Sequence, residues 1–430
     1  MHYSVAGTAS LLALALTLGF AGCDTSAKDI SGADGKGSDS SGDGGGGATM
    51  SLPASAPGTL DGVEPEAHSH FPPVVDGNGN LYRITEQAKA DGGNFQKMMR
   101  SSDNGATWLE VGAGNRPAAR DLEGGWQLQL GTSIFTSISG GINLWWSEFR
   151  TSDAAEGADT WVGDEAAELG NNPGGIKQFS SLVGTSNGRF WIFNTDAPNG
   201  SRQQIVYRQR LAAGSYSAKQ PIDAASGSWT APMAVLGADD VTTHLIYKDQ
   251  LGSQLRWRTL SLEGSLSEAV RIETSGTSKV FIPQTNPVVY QRDGAEVVMI
   301  AFADGGGVLR SVAITDGVVG TEEIVSPAPI LQDPGITKND GAVAHLTVLG
   351  STVYAMWADL ASGDLMMQSH PHGGSWSEPQ RVWDSGANQA EWVYLQAYVR
   401  DKQRRIGFTY DVGPHPDDTG KIEFRELTLS

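Results

Sequence analysis

The chain has 430 residues, with 49 acidic against 30 basic side chains, a formal net charge of −19 and a single Cys. That length suits one large all-β domain or two ordinary ones. The charge argues against a nucleic-acid partner, which needs a basic footprint, and one Cys excludes an intramolecular disulfide.

Leu11 to Leu18 form an apolar run, followed by Gly19-Phe20-Ala21-Gly22-Cys23. Small residues before a Cys at this depth resemble the bacterial lipobox. There the signal peptide, here residues 1–22, is removed and the Cys becomes the lipidated N-terminus. Phe20 stands where Leu is usual, and the leading segment carries His2 but no Lys or Arg. The resemblance implies lipidation at Cys23 and an exported protein held at the cell envelope, touching a membrane only through its lipid. The apolar run is too short for a transmembrane helix. Residues 23–48 are Gly, Ser, Asp and Lys with almost nothing to bury, a flexible tether. Residues 49–67 include Met50, Leu52 and Leu60, the first side chains able to join an ordered structure.

From His68 to the C-terminus, short β-rich runs alternate with Gly, Asn, Asp and Ser turns. The run Ser101-Ser102-Asp103-Asn104-Gly105-Ala106-Thr107-Trp108 fits Ser-x-Asp-x-Gly-x-Thr-Trp. Its Asp accepts bonds from turn amides and its Gly takes the positive-φ position. Two segments align without a gap, Tyr247–Ile272 and Trp357–Val382. Leu255 matches Leu365, Gly264-Ser265-Leu266-Ser267-Glu268 matches Gly374-Ser375-Trp376-Ser377-Glu378, and Ile272 matches Val382. Gly214-Ser215-Tyr216-Ser217 begins a partial third copy, and Met233–Gly237 parallels Leu346–Gly350. Self-similarity at about 40–55 residues with four short strands per unit predicts an all-β propeller. Counting gives seven blades, with six as the alternative: about 71–113, 127–165, 178–223, 230–273, 285–326, 343–383 and 391–430. Gly227-Ser228-Trp229 is read as leading into the fourth. The last unit offers only three strands, so the stretch from Met50 to Leu60 is expected to add the outer one and protect the edge.

The Asp-containing turn, the Trp-opened outer strands and the Gly-Ser-Trp repeat resemble the sialidase-like propellers with BNR or Asp-box repeats, over residues 68–430. For that family the turn (Ser101, Asp103, Gly105, Thr107, Trp108) is structural. The resemblance implies recognition of a glycan or an envelope protein as the first reading, with no cofactor and no metal. A carbohydrate-active enzyme on the same fold is the alternative. Sialidases carry an early Arg-Ile-Pro; here Leu81-Tyr82-Arg83-Ile84-Thr85 lacks the Pro, and no three arginines can be placed as a triad. The His-rich lead-in His68-Ser69-His70, with the Asp76-Gly77-Asn78-Gly79 hairpin, looks like the start of some propeller polysaccharide lyases, which use His and Tyr for β-elimination. His suits proton abstraction near neutral pH, so His68, His70 and His345 are the catalytic candidates.

Asp76–Asn80 also has the front of a calcium loop. Its sixth position is Leu81 and its twelfth Gln87, which favours a plain hairpin turn. His370-Pro371-His372 is read as an exposed loop. Trp108, Trp161, Trp257, Trp357 and Trp376 are expected to pack between blades. Trp145, Trp146, Trp383 and Trp392 have less obvious packing partners. Because the apolar face of a pyranose stacks on an indole, Trp145, Trp146 and Trp392 are the binding candidates.

Overall fold

The protein is described by a computed structural model that covers residues 58–59 and 72–429 apart from 89–93, 116, 118–124, 141–142, 153–158, 170–180, 197–203, 213–214, 225–232, 249–253, 274–285, 305, 331–343, 387–388 and 414–420. Cys23, His68, His70 and the Gly227–Trp229 turn lie outside the described residues.

Seven antiparallel sheets follow one another along the chain and form a seven-bladed β-propeller. A two-residue strand, β1 (Gly58–Thr59), precedes them. Blade one is β2 (Val74–Val75), β3 (Leu81–Ala88), β4 (Asn94–Ser101) and β5 (Leu109–Val111). Blade two is β6 (Gly125–Leu130), β7 (Ser133–Gly140), β8 (Asn143–Arg150) and β9 (Thr160–Leu169). Blade three is β10 (Ser181–Gly184), β11 (Phe190–Asp196) and β12 (Gln204–Ala212), with its outer edge split into β13 (Ser215–Tyr216) and β14 (Gln220–Ala224). Blade four is β15 (Met233–Leu236), β16 (Thr243–Lys248), β17 (Leu255–Leu260) and β18 (Val270–Ile272). Blade five is β19 (Val288–Arg292), β20 (Ala295–Ala303), β21 (Val308–Thr315) and a second split edge, β22 (Val318–Val319) and β23 (Glu323–Pro329). Blade six is β24 (His345–Leu349), β25 (Thr352–Ala358), β26 (Leu365–Pro371) and β27 (Gln380–Trp383). Blade seven is β28 (Gln389–Arg400), β29 (Gln403–Gly413) and β30 (Lys421–Leu429). Its fourth strand is β1, with Gly58 opposite Phe424 and Thr59 opposite Glu423.

The antiparallel order puts the turns between first and second strands, and those between third and fourth, on one face of the disc. The links between second and third strands, and the crossings from blade to blade, lie on the other. We call these the hairpin face and the crossover face.

Successive residues of a strand point to opposite sides of its sheet, so each blade packs one set of side chains on the blade before and one on the blade after. Leu245 and Tyr247 of β16 pack back on Trp191 and Phe193 of blade three, while Ile246 packs forward with Ile300 and Phe302 of blade five. The serine repeats have a shared structural job. Ser217, Ser267 and Ser377 each donate their amide to a third-strand carbonyl (of Gln209, Thr259 and Ser369), and each hydroxyl accepts the amide of that same residue. Tyr216, Leu266 and Trp376 then pack partly buried against the preceding seam.

The Ser101–Trp108 turn joins β4 to β5. Ser101 Oγ donates to Asp103 Oδ1 and accepts the Gly105 amide, both at 2.8 Å. Asp103 Oδ1 also accepts the Thr107 amide at 2.8 Å, and the Trp108 indole N–H closes on the Gly105 carbonyl at 3.1 Å. Bonds from the Thr107 hydroxyl and amide hold the Asp103 carboxyl below the usual range. The turn packs on the last blade, where Trp108 meets Phe424 edge-on, with ring centroids 5.4 Å apart.

His370 departs from the sequence reading. It is buried near the end of β26, its ring tilted on Trp376 and its Nε2 3.3 Å from Glu323 Oε1. The strand runs on to Pro371, opposite Thr352, before the exposed turn at His372 begins.

Candidate functional site

Asp76 spends its carboxylate inside its own hairpin. Oδ1 accepts the Asn78 and Asn80 amides, at 3.0 and 2.8 Å, and Oδ2 accepts Asn80 Nδ2 at 2.8 Å. This is an Asx-type turn, as the departures from a calcium loop imply.

The turn leads into β3, where Leu81, Arg83 and Thr85 share one side. Leu81 packs with Tyr398, Ile422 and Phe424, so that side looks at blade seven. Opposite it, Phe408 and Tyr410 of β29 pack into the seam with blade six. That leaves the alternate residues Gly407, Thr409 and Asp411 on the blade-one side.

The composition of this closing seam is unusual for the ring. Towards the preceding blade, the second strands of blades four to seven present Leu245 and Tyr247, Ile300 and Phe302, Ala355 and Trp357, and Phe408 and Tyr410. Blade one presents Leu81 and then Arg83. Arg83 is fully buried (0% exposed), and none of its three side-chain nitrogens has a hydrogen-bond partner among the described residues. Thr85 and Thr409 are buried beside it in sequence register, and Asp411 is 5% exposed. Burial pulls the Arg83 guanidinium down to about 9, against the opposing pull of the Asp411 carboxylate. A desolvated guanidinium whose hydrogen bonds are unmet costs several kcal/mol. A polar guest that accepts from it and donates to Asp411 would offset that cost.

The other side of blade one has a neutral counterpart. Thr136 Oγ1 of β7 donates to Gln96 Oε1 of β4 at 3.2 Å. Gln96 Nε2 and Ser147 Oγ of β8 are buried without partners among the described residues. Trp145 is two residues from Ser147, on the same side of β8 and only partly buried. Two polar, under-satisfied compartments thus flank the first blade, one charged and one neutral.

The remaining sequence candidates are placed as follows. Trp146 points away from Trp145 and is 3% exposed. Phe135 and Phe190 pack on it, Arg210 lies over its ring at 4.5 Å, and its N–H donates to Tyr216 Oη. Both of its faces are spent on the seam between blades two and three. Trp383 packs on Tyr410. Trp392 lies on β28, with its side chain outside the described residues. His345 opens β24 but is 4% exposed; its Nδ1 accepts the Leu395 amide at 3.1 Å and its ring meets Tyr394 edge-on. Burial lowers it to about 3, which makes the ring a weak base at neutral pH.

The sign of that shift gives a stability prediction. The folded ring stays neutral while the unfolded chain takes up a proton below its ordinary value of 6.5. Stability is therefore complete above that value and falls as pH drops towards the folded one, by about 2 kcal/mol at about pH 5. His345→Asn keeps an acceptor for the Leu395 amide and removes the titration. Urea unfolding at about pH 5 and about pH 8 should show a smaller loss in the variant; equal losses would disprove the assignment.

Fold and site together define a seven-bladed propeller whose closing seam carries a buried Arg–Asp pair, its guanidinium without a hydrogen-bond partner among the described residues. No family model matches the chain, and no curated protein matches it. Solved structures do. An ulvan lyase from a new family of polysaccharide lyases, bound to -[GlcA(1-4)Rha3S]-, matches at a TM-score of 0.55 and 12% identity, over 86% of this chain and 95% of its own. The BP39L lectin from Burkholderia pseudomallei matches at 0.50 and 12% identity, over 86% of this chain and 99% of its own. At such identities the likeness is one of fold.

Proposed function

We propose that this protein is a lipid-anchored propeller of the cell envelope that recognises a glycan at the compartments flanking blade one. The observation that carries the reading is the buried Arg83, which faces Asp411 across the closing seam and whose three side-chain nitrogens have no hydrogen-bond partner among the described residues. A sugar hydroxyl is the guest that suits both, since it accepts from the guanidinium and donates to the carboxylate. Trp145, partly exposed beside the neutral compartment, offers an apolar face for a pyranose ring. The fold is shared with a lectin and with a polysaccharide lyase, and both act on carbohydrate by name. Fold alone does not fix function, so the argument rests on the pair.

A glycan and polysaccharide array, read for both binding and turnover, tests it. Binding without turnover is expected. Turnover would replace this reading with a carbohydrate-active enzyme, and silence on both would leave a scaffold. Anchoring has its own test: Cys23→Ser should move the exported protein from the membrane fraction to the soluble one, and an unchanged distribution would remove the anchor from the proposal.

A further inference from the structure

The chain is strongly acidic, yet Arg400-Asp401-Lys402-Gln403-Arg404-Arg405 holds four basic residues against one acidic. The run is the hairpin joining β28 to β29, with Arg400 paired to Gln403, and it lies on the hairpin face, opposite the crossings between blades. Three features set it apart.

The first is an excess of buried donors. Arg400, whose side chain is 5% exposed, and Arg405 share one carboxylate, that of Glu426. Arg400 Nη2 reaches it at 2.6 Å, Arg405 Nη1 also bonds to it, and Tyr398 Oη donates to it at 2.5 Å. Arg405 Nη2 donates to Gln403 Oε1 at 2.6 Å. Arg400 Nε, Arg400 Nη1 and Arg405 Nε have no partner among the described residues. Two guanidiniums against one carboxylate leave a buried positive charge.

The second is the turn itself. Asp401 and Lys402 both have positive φ, 52° and 61°. The other two-residue hairpins of this shape, in blade five, are Asp293-Gly294 and Asp316-Gly317, with φ of 53° and 84°, and 47° and 80°. Glycine is the low-strain choice at the second position. Here a lysine stands in that place. Backbone strain carried by an exposed charged side chain is a mark of a position kept for what the side chain does.

The third is the lip. Lys402 is exposed at the tip of the turn, beside the buried Arg400 and the partly buried Arg405. Arg404, one residue from Arg405, points to the other side of the sheet, towards Tyr354 of blade six. With Asp401 and Glu426 counted against Arg400, Lys402 and Arg405, the site keeps a surplus of one positive charge.

We propose that this hairpin binds a phosphate- or sulfate-type oxyanion, with Lys402 supplying exposed charge and Arg400 and Arg405 supplying donors beneath it. The geometry suits a tetrahedral anion, which accepts several charge-assisted bonds at once. The site is independent of the glycan reading and uses none of its residues.

Thermal unfolding of the whole protein in millimolar sodium phosphate or sulfate, against chloride at equal ionic strength, is the test. Low concentration keeps general salting effects out. At a phosphate level ten times its dissociation constant, the wild type should gain roughly 2 °C. Lys402→Gly relieves the turn, so it should melt higher than wild type in chloride while its phosphate dissociation constant rises about tenfold or more. Arg404→Gln removes one charge from the other side of the sheet and should leave the phosphate response close to that of the wild type. Sedimentation of the unanchored Cys23→Ser protein with vesicles containing phosphatidylglycerol, but not with pure phosphatidylcholine, would identify a lipid headgroup as the source; a phosphate response without sedimentation would identify a free anion. No gain in the wild type, or the same gain in Lys402→Gly as in the wild type, would overturn the proposal.

Discussion

Gly105→Ala is expected to lower the unfolding free energy by about 2–5 kcal/mol, from two costs that add. Gly105 has φ +84°, where a β-carbon costs about 1–2 kcal/mol. That carbon would also stand 2.4 Å from two ring carbons of Phe424, and overpacking of this kind costs about 1–3 kcal/mol. Phe424 cannot simply turn away, because its ring packs on Trp108 and Gly407 lies behind it. Gly188 supplies the comparison. Its φ is +83°, and a β-carbon there meets nothing within 4 Å. Gly188→Ala should therefore show the backbone cost alone. Equal losses for the two variants in urea unfolding would mean that the turn does not hold blade one against blade seven.

The paired substitution Arg83→Met with Asp411→Asn is expected to abolish glycan binding and, at the same time, to raise stability. Replacing buried charges by neutral groups of similar volume is often worth about 1–4 kcal/mol. The Arg83 guanidinium has no hydrogen-bond partner among the described residues, which places the gain on the favourable side. The reason for keeping them would then be the ligand. The measurement is calorimetric titration with a glycan found on the array, alongside urea unfolding. A double variant that binds as the wild type does would dismiss the seam as the recognition site. A double variant that is also less stable would show the pair to be part of the fold's own support.

Much of the architecture was legible because it rests on short, repeated distances along the chain. A serine that must close on its own third strand fixes the residues between strand and turn, and Ser217, Ser267 and Ser377 keep that spacing. Spacing of that kind survives when side chains drift, and it yields seven blades. The Ser101–Trp108 turn was equally readable, since its bonds lie within eight residues. The candidate site was not. Arg83 stood in the sequence as the nearest match to Arg-Ile-Pro and was set aside for lack of the proline. What makes it notable is its partner surface on β29, far along the chain, together with the apolar residues at the corresponding place in other blades. Trp145 and Trp146 show the same limit. Neighbours on a strand point to opposite sides, and the sequence offers both as platforms. Only the identity of the facing blade shows that Trp146 packs in the seam between blades two and three, while Trp145 lies on the blade-one side and is partly buried. His370 reads as exposed from sequence because it stands just before the Gly373-Gly374 turn; the strand instead carries on to Pro371 and keeps His370 buried.

The two-residue strand at Gly58–Thr59 also sets an order of events in time. It is made before any blade, and its partner β30 is the last strand of the ring. At about 5–20 residues per second, roughly 20–70 seconds separate the synthesis of Thr59 from that of Phe424. During that interval six blades can stack one on the next, while the first blade offers its Arg83 side to water with nothing yet to cover it. A guanidinium is at ease there, where a row of bare aromatics would invite a neighbouring chain. The polar seam is thus the one left open longest, and its composition is suited to waiting.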